Sequence, residues 1–168
     1  MRRRFLRDQR GVAALEFGLL APIFFLMLLA LIDLAIYFAT TAIVHDAMET
    51  AARAVRVGAL QSGSTAAQFR AVLCQRLFFV TCGNFTFSVK PTTNLADPAL
   101  RTPGFDTSGH LTQQTYNPGH ADDIVVVTIA YVHTFIIPYI GLIFGDSGLS
   151  DPHLRTIVAF VVVKNEPY

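Results

Sequence analysis

The chain has 168 residues, of which 52% are hydrophobic and 15% are charged, and its formal net charge at neutral pH is +1. Outside an apolar N-terminal region that takes about a quarter of the chain, one compact domain fits and a second does not. The apolar content excludes a wholly disordered chain, and the basic residues beyond the first ten positions are too few for a nucleic-acid surface.

An arginine-rich head runs directly into a long apolar segment. Residues 17–32 are 16 positions without a formal charge, and extending them to residue 12 or to residue 37 gives about 20 residues, enough to cross a bilayer core of roughly 30 Å. Five arginines and one aspartate give residues 1–11 a charge of +4, whereas eight basic and eleven acidic residues give residues 12–168 a charge of −3. Because basic flanks stay on the cytoplasmic side, we expect a cytoplasmic N-terminus and an outer C-terminal domain.

A cleaved secretory signal is the rival interpretation of this region. Such a signal has an apolar core of only about 7–15 residues, followed by a small-x-small cleavage site. Here the apolar run continues to Val44, and the first such triplet after it lies at residues 52–54. Conventional signal cleavage is therefore disfavoured.

Glu16 and Asp33 lie at the two ends of the uncharged run. A carboxylate at the bilayer centre costs roughly 2.5–3.5 kcal/mol on insertion scales, and less near the ends. From charge and spacing alone, we expect both carboxylates to reach for water at the interfaces, with Glu16 also favoured by the positive end of the helix dipole. Pro22 removes one helical donor and predicts a gentle bend, since membrane helices tolerate such a proline.

The residues around Glu16 resemble a known processing site. Its local sequence is Arg10-Gly11-Val12-Ala13-Ala14-Leu15-Glu16-Phe17, with Pro22 following. This is similar to the processing site of type IV pilin-like precursors, and residues 10–37 resemble the N-terminal signature of the TadE-like family of the tight-adherence (Tad) pilus system. The end of the chain, Lys164-Asn165-Glu166-Pro167-Tyr168, is similar to the Arg-Asn-Glu-Pro-aromatic ending common in that family, with Lys164 in place of the usual Arg.

The resemblance implies that a prepilin peptidase cleaves after Gly11 and leaves Val12 as the new amino terminus. Glu16, Phe17 and Pro22 would belong to the processing and assembly motif, and Glu16 would pair with the freed amine of a neighbouring subunit's Val12. The implied partners are membrane lipid, the peptidase, other pilin or pseudopilin subunits and the Tad assembly platform. The family implies a minor pseudopilin or assembly initiator of the bacterial inner membrane, with a periplasmic outer domain, that stays in the membrane or enters the Flp-type (type IVb) pilus.

Helical chemistry continues beyond the apolar run. Glu49 and Arg53 stand four residues apart, and small residues recur on one face at Ala47, Ala51, Ala54 and Gly58. Two interpretations of this face are packing within a filament and packing on the chain's own sheet, and we favour the second. The sequence thus divides into a basic leader (1–11), a transmembrane and extended helix (12–60, with the span at about 16–38) and a periplasmic α+β domain (61–168).

A second helix is predicted over residues 66–79. Thr65 and Gln68 have the spacing of a capping box, and apolar residues follow at helical intervals. Cys74 and Cys82 are the two cysteines of the chain. Outside the cytoplasm such a pair is most simply a disulfide, worth about 2–3 kcal/mol, and two buried thiols are the alternative. No cysteine or histidine set has zinc-site spacing.

The remaining elements are strands and one long loop. Residues 85–89 alternate as a half-exposed strand, residues 91–123 form a loop suited to subunit-specific contacts, and residues 124–135 are apolar on both faces. One face would be covered by the helix, and a partner is a candidate for the other. Residues 136–145 are too short to cross a membrane and are either buried, at the interface or a contact patch. With residues 154–164 as the closing strand, we expect an antiparallel sheet of three to four strands packed on the helix, as in pilins.

Catalytic motifs are absent from the sequence. No Gly-rich phosphate loop, nucleophile elbow or zinc-binding helix occurs, and the five histidines are scattered singly. Asp122 and Asp123 fit a solvated turn, and His133, in the apolar strand, is the histidine to inspect for a buried partner. We therefore predict a structural protein with no cofactor, metal or small-molecule substrate. An unprocessed bitopic scaffold of a secretion or pilus machine is the alternative, whereas an anchored enzyme would need a convergent polar pocket that the sequence does not offer.

Overall fold

A computed structural model describes residues 11–60, 63–75, 77, 80–97, 100 and 102–167. The described elements begin with one 45-residue helix, α1 (Val12–Arg56), and a short helix, α2 (Ala66–Cys74). A 3₁₀ turn (Cys82–Asn84) leads into β1 (Phe85–Pro91), which is followed by β2 (Ile124–Thr134), α3 (Pro138–Phe144) and β3 (Leu154–Lys164). The three strands form one antiparallel sheet in the order β1–β2–β3. This confirms the predicted α+β fold with a long apolar helix, a short second helix and a small antiparallel sheet.

The helix α1 is continuous through Pro22 and ends at Arg56, four residues before the predicted boundary at 60. Its end is set by Gly58, which adopts a φ of 74° and donates its backbone N–H to the carbonyl of Val55. A side chain other than glycine rarely takes this left-handed conformation, so the helix stops here. Gly58 is therefore a helix stop and not a continuation of the helical small-residue face.

The two halves of α1 have different environments. Residues 12–32 are mostly exposed, whereas a buried stripe begins at Asp33 and continues at helical intervals on one face. Its buried members include Thr40, Val44, Ala47, Ala51 and Val55. Because Ala47 and Ala51 are fully buried within the core formed with the sheet, the interpretation that this small-residue face packs on the chain's own domain is confirmed.

The central strand β2 is buried on both faces, as its sequence predicted. Val125, Val127 and Ile129 belong to the core shared with α1 and α2. On the other face, the backbone N–H of Leu111 donates to the hydroxyl of Thr86 on β1, and Leu111 is itself buried. A segment of the chain's own long loop thus covers this face at Leu111, where a partner was one candidate for the cover.

The described part of the loop between β1 and β2 contacts the sheet at Leu111 and at residues 115–117. Its residues 115–117 run beside β1, where Val89 exchanges backbone hydrogen bonds with Thr115 (2.8 Å) and Asn117 (2.8 Å). A bridge between Phe105 and Leu111 closes a second turn. Residues 115–117 therefore add one isolated parallel bridge at the β1 edge, and the sheet itself has three strands, within the predicted range of three to four.

The capping box of α2 forms as predicted, because Gln68 N–H donates to Thr65 Oγ1 and the Gln68 side chain accepts from the Thr65 N–H (2.7 Å). The helix nevertheless ends at Cys74, five residues earlier than its apolar spacing suggested, and residues 76, 78 and 79 of that prediction lie outside the described residues. Leu77 and Val80 reach the core from non-helical backbone. Cys74 and Cys82 form the predicted disulfide, with their Cα atoms 5.7 Å apart.

Candidate functional site at the membrane helix

The first half of α1 has the dimensions of a membrane span. At a rise of about 1.5 Å per residue, the helix from Val12 to Ile32 is roughly 30 Å long, the thickness of a bilayer's hydrocarbon core. Among the described residues, α1 is the one helix long and apolar enough to cross a membrane. The apolar side chains of this half point away from the rest of the protein, so the folded domain leaves them exposed.

Gly11 lies immediately before α1 and is exposed. Its backbone has a φ of −91° and a ψ of −9°, which any residue adopts, and an added Cβ would meet no atom within 4 Å. Neither a turn nor a close approach requires glycine at this position. Val12, the first helical residue, is also exposed.

Glu16 is the fifth residue of α1 and is exposed on the apolar half of the helix. It is the one ionisable residue between Gly11 and Ile32, and it makes no hydrogen bond or ion pair with any residue that the structure describes. Phe17 beside it is exposed as well. Pro22, one and a half turns further on, cannot donate to the carbonyl of Gly18, so that carbonyl lacks its normal helical partner.

Asp33 marks the point where the outer domain begins to cover α1. It is only 2% exposed, and its Oδ2 accepts hydrogen bonds from the backbone N–H groups of Ile136 (3.1 Å) and Ile137 (3.0 Å). Its Oδ1 is buried without a partner among the described residues. The expectation that Asp33 reaches for water was wrong, because the carboxylate is buried and its Oδ2 binds two backbone donors of the outer domain.

An aromatic cluster adjoins Asp33. The ring of Tyr37, one turn along α1, lies 5.4 Å from those of both His133 and Phe135, and the last two rings are 5.0 Å apart. Burial lowers the pKa of His133 below its ordinary value, and the nearby Asp33 carboxylate opposes this with a smaller effect. His133 is therefore neutral at neutral pH, and its Nε2 has no partner among the described residues.

Asn165 in the C-terminal motif is only 2% exposed and binds the end of the long loop between β1 and β2. Its side-chain amide donates to the carbonyls of Pro118 (2.8 Å) and His120 (2.9 Å), and its backbone N–H donates to Asp123 (2.9 Å). Because β3 ends at Lys164, Asn165 joins the end of the sheet to the end of the loop.

Glu166 ties the same motif to the end of α1. Its backbone N–H donates to the carbonyl of Arg56 (2.9 Å), and its carboxylate pairs with the Arg56 guanidinium (3.2 Å). Pro167 is exposed, and Tyr168 lies outside the described residues. The motif thus sits far from Gly11 and Glu16, at the opposite end of α1, and does not share a site with them.

Sequence reasoning missed the roles of Asp33 and Asn165. The sequence contains a weak indication for each, since Asp33 is an acid within a helical apolar run and Asn165 is an amide directly after a strand. In neither case does the sequence indicate which groups the side chain binds. In the part of the chain that the structure describes, no group of three or more histidine, cysteine or acidic residues could hold a metal ion. Nothing in the described geometry assembles a catalytic constellation.

A family model described as TadE-like protein matches residues 11–53. No curated protein and no solved structure matches the chain at a significant level. The matched residues include Gly11, Glu16, Pro22 and Asp33 and extend into the buried half of α1. Residues 11–53 are therefore a TadE-like segment, which relates this chain to the structural proteins of the Tad pilus system and confirms the resemblance that its sequence indicated.

Proposed function

We propose that this chain is a membrane-anchored minor pseudopilin that takes part in the assembly of a Tad-type (type IVb, Flp) pilus. The observation that carries the proposal is Glu16, a lone carboxylate on an exposed apolar helix inside the TadE-like segment. A charged carboxylate within lipid costs up to roughly 3 kcal/mol, so a cationic partner in a neighbouring subunit lowers the energy of the assembled state. The amine of a processed Val12 in that subunit supplies the cation.

The topology proposed with this function has residues 1–11 in the cytoplasm and the domain of residues 61–168 in the periplasm of the inner membrane. The arginine-rich head supports the orientation, and the Cys74–Cys82 disulfide suits an oxidising compartment. The span predicted at about 16–38 extends five residues past Asp33. Because Asp33 and Tyr37 face the outer domain, we place the outer end of the span at Asp33.

Processing after Gly11 is tested by the mass of the full chain extracted from membranes. A chain that starts at Val12 supports cleavage by a prepilin peptidase, and a chain that starts at Met1 supports the unprocessed scaffold instead. The structure leaves room for a side chain at Gly11, so Gly11→Val is expected to fold and insert normally. If glycine is there for the peptidase, this variant accumulates with its leader attached.

The role of Glu16 is tested separately from processing. Glu16→Gln keeps the size of the side chain and removes its charge, so we expect normal cleavage and a strong loss of assembled pili. Leu20→Gln, one turn along the same exposed helix, places an equal amide in the apolar segment and serves as the matched control. Normal piliation by Glu16→Gln, or an equal loss in both variants, would contradict the proposed pairing. Partners in the Tad assembly platform are captured by crosslinking from the same exposed half of α1.

A further inference from the structure

The segment around α3 exposes apolar side chains that the fold does not cover. Residues 135–145 contain no charged residue. Ile136, Tyr139, Leu142 and Ile143 are between 63% and 73% exposed. The last three are spaced i, i+3 and i+4 on one face of the helix, and Ile136 precedes them by three residues. These four residues are called the α3 face below.

The opposite side of α3 is fixed against the domain. An added Cβ at Gly141 would lie 2.8 Å from the Cα of His153, so only glycine permits this close contact. At the other end, Arg155 donates to the carbonyl of Phe144 (2.6 Å). Since α3 is held by these contacts, the α3 face is directed outward by the fold.

The position of α3 along the membrane helix is set by Asp33. The carboxylate of Asp33 binds the backbone N–H groups of Ile136 and Ile137, the two residues that precede α3. The exposed apolar surface of α1 runs up to this level and includes Ile32 and Ile36. The α3 face therefore continues the apolar surface of the span at its outer end.

We propose that the α3 face lies in the outer leaflet of the bilayer, at the boundary between headgroups and acyl chains, as a second membrane contact. The occupant is lipid because the face is uncharged, is continuous with the span and carries a tyrosine, a residue enriched at membrane interfaces. Asp33 is the positioning residue that holds both contacts at one depth. This inference rests on the proposed membrane span of α1 and adds to it the placement of the outer domain.

The natural chain has no tryptophan, so single tryptophans report on depth without further changes. Three aromatic residues of similar exposure (55–63%) are replaced one at a time in the full chain: Phe25→Trp, Tyr139→Trp and Phe160→Trp. Phe25 lies about 12 Å below Asp33 along α1. Phe160 pairs with Thr128, six residues and about 20 Å from the end of β2 that adjoins α3.

Each variant is reconstituted in phosphatidylcholine vesicles with or without lipids brominated at the 6,7 or the 11,12 acyl positions. We expect Tyr139→Trp to be quenched at least twofold, more strongly by the shallow bromines, with blue-shifted emission. Phe25→Trp is quenched more strongly by the deep bromines, and Phe160→Trp is quenched by neither.

Each alternative outcome identifies the step that failed. Quenching of Phe25→Trp without quenching of Tyr139→Trp would retain the span and overturn the lipid contact. A blue shift of Tyr139→Trp that bromine does not quench and that disappears on dilution of the protein in lipid would assign the α3 face to a second copy. Failure of Phe25→Trp to respond would overturn the span itself and with it the basis of the inference.

Discussion

Replacement of Asn165 tests whether the C-terminal motif holds the outer domain together. The side-chain amide of Asn165 is buried and donates to two carbonyls of the loop, those of Pro118 and His120. Asn165→Ala removes both bonds, while the backbone bond to Asp123 is retained. The perturbation therefore isolates what the side chain contributes to fastening the loop onto the sheet.

The expected magnitude follows from these two bonds. A neutral hydrogen bond contributes about 1 kcal/mol, and the buried Pro118 carbonyl is left without a partner, whereas the His120 carbonyl still accepts from the Asp123 N–H. Asn165→Ala should therefore lower the free energy of unfolding by about 2–3 kcal/mol. Asn165→Asp keeps the shape of the side chain but places a carboxylate oxygen, which cannot donate, beside both carbonyl oxygens. It should therefore lower the free energy of unfolding by more than the alanine variant does. Lys164→Ala removes an exposed ion pair with Asp122 and should cost less than about 0.5 kcal/mol.

The assay is urea unfolding of the full chain in nanodiscs, followed by the fluorescence of Phe160→Trp as a common background. The free energy of unfolding is taken by linear extrapolation for each variant. An Asn165→Ala value within 0.5 kcal/mol of the Lys164→Ala value would refute the reasoning, because it would mean that water replaces the amide without loss. An Asn165→Asp variant as stable as the parent would refute the assigned donor direction.

Three further predictions use the same nanodisc preparation. Burial lowers the pKa of His133, so below about pH 6.5 the unfolded chain binds a proton that the folded chain does not. The contribution of His133 to the free energy of unfolding is therefore fully present above about pH 6.5 and falls below it by at most about 1.4 kcal/mol per pH unit. His133→Phe should lose less stability between pH 7.5 and pH 5 than the parent. Asp33→Asn keeps an acceptor oxygen but not its charge, so hydrogen exchange at the Ile136 N–H should accelerate, with a loss of about 1–2 kcal/mol; unchanged exchange would contradict the assigned bond. Replacing Cys74 and Cys82 by serine should cost about 2–3 kcal/mol and speed exchange in α2, and an unaffected urea midpoint would show that the disulfide is dispensable.

The sequence was informative wherever structure depends on local pattern. Apolar periodicity located α1, β2 and β3, and the Thr65–Gln68 spacing located the start of α2. The contacts of Asp33 could not be predicted because its partners lie 103 and 104 residues away and contribute backbone atoms, which leave no trace in residue type. The loop that covers β2 was missed for a similar reason, since Leu111 is one apolar residue within a polar stretch. Asn165 was identified only by the family resemblance, since its side-chain partners are also backbone carbonyls, 47 and 45 residues away.

Hydrogen bonds join α1 to the sheet at both ends of their contact, and the helical segment and the strand that meet there have nearly the same length. From Asp33 to Arg56 the helix rises about 35 Å, and the 11 residues of β2 span nearly the same distance. At one end Asp33 binds the chain that leaves β2, and at the other Arg56 binds the chain that leaves β3. The upper half of α1 is therefore joined to the sheet at both ends, and in the proposed function the half below Asp33 is the part of the helix that contacts other subunits. Under the two proposals above, a force that pulls this lower half along the membrane normal is transmitted to α3 through Asp33, so extraction of the subunit into a fibre would also withdraw the α3 face from lipid.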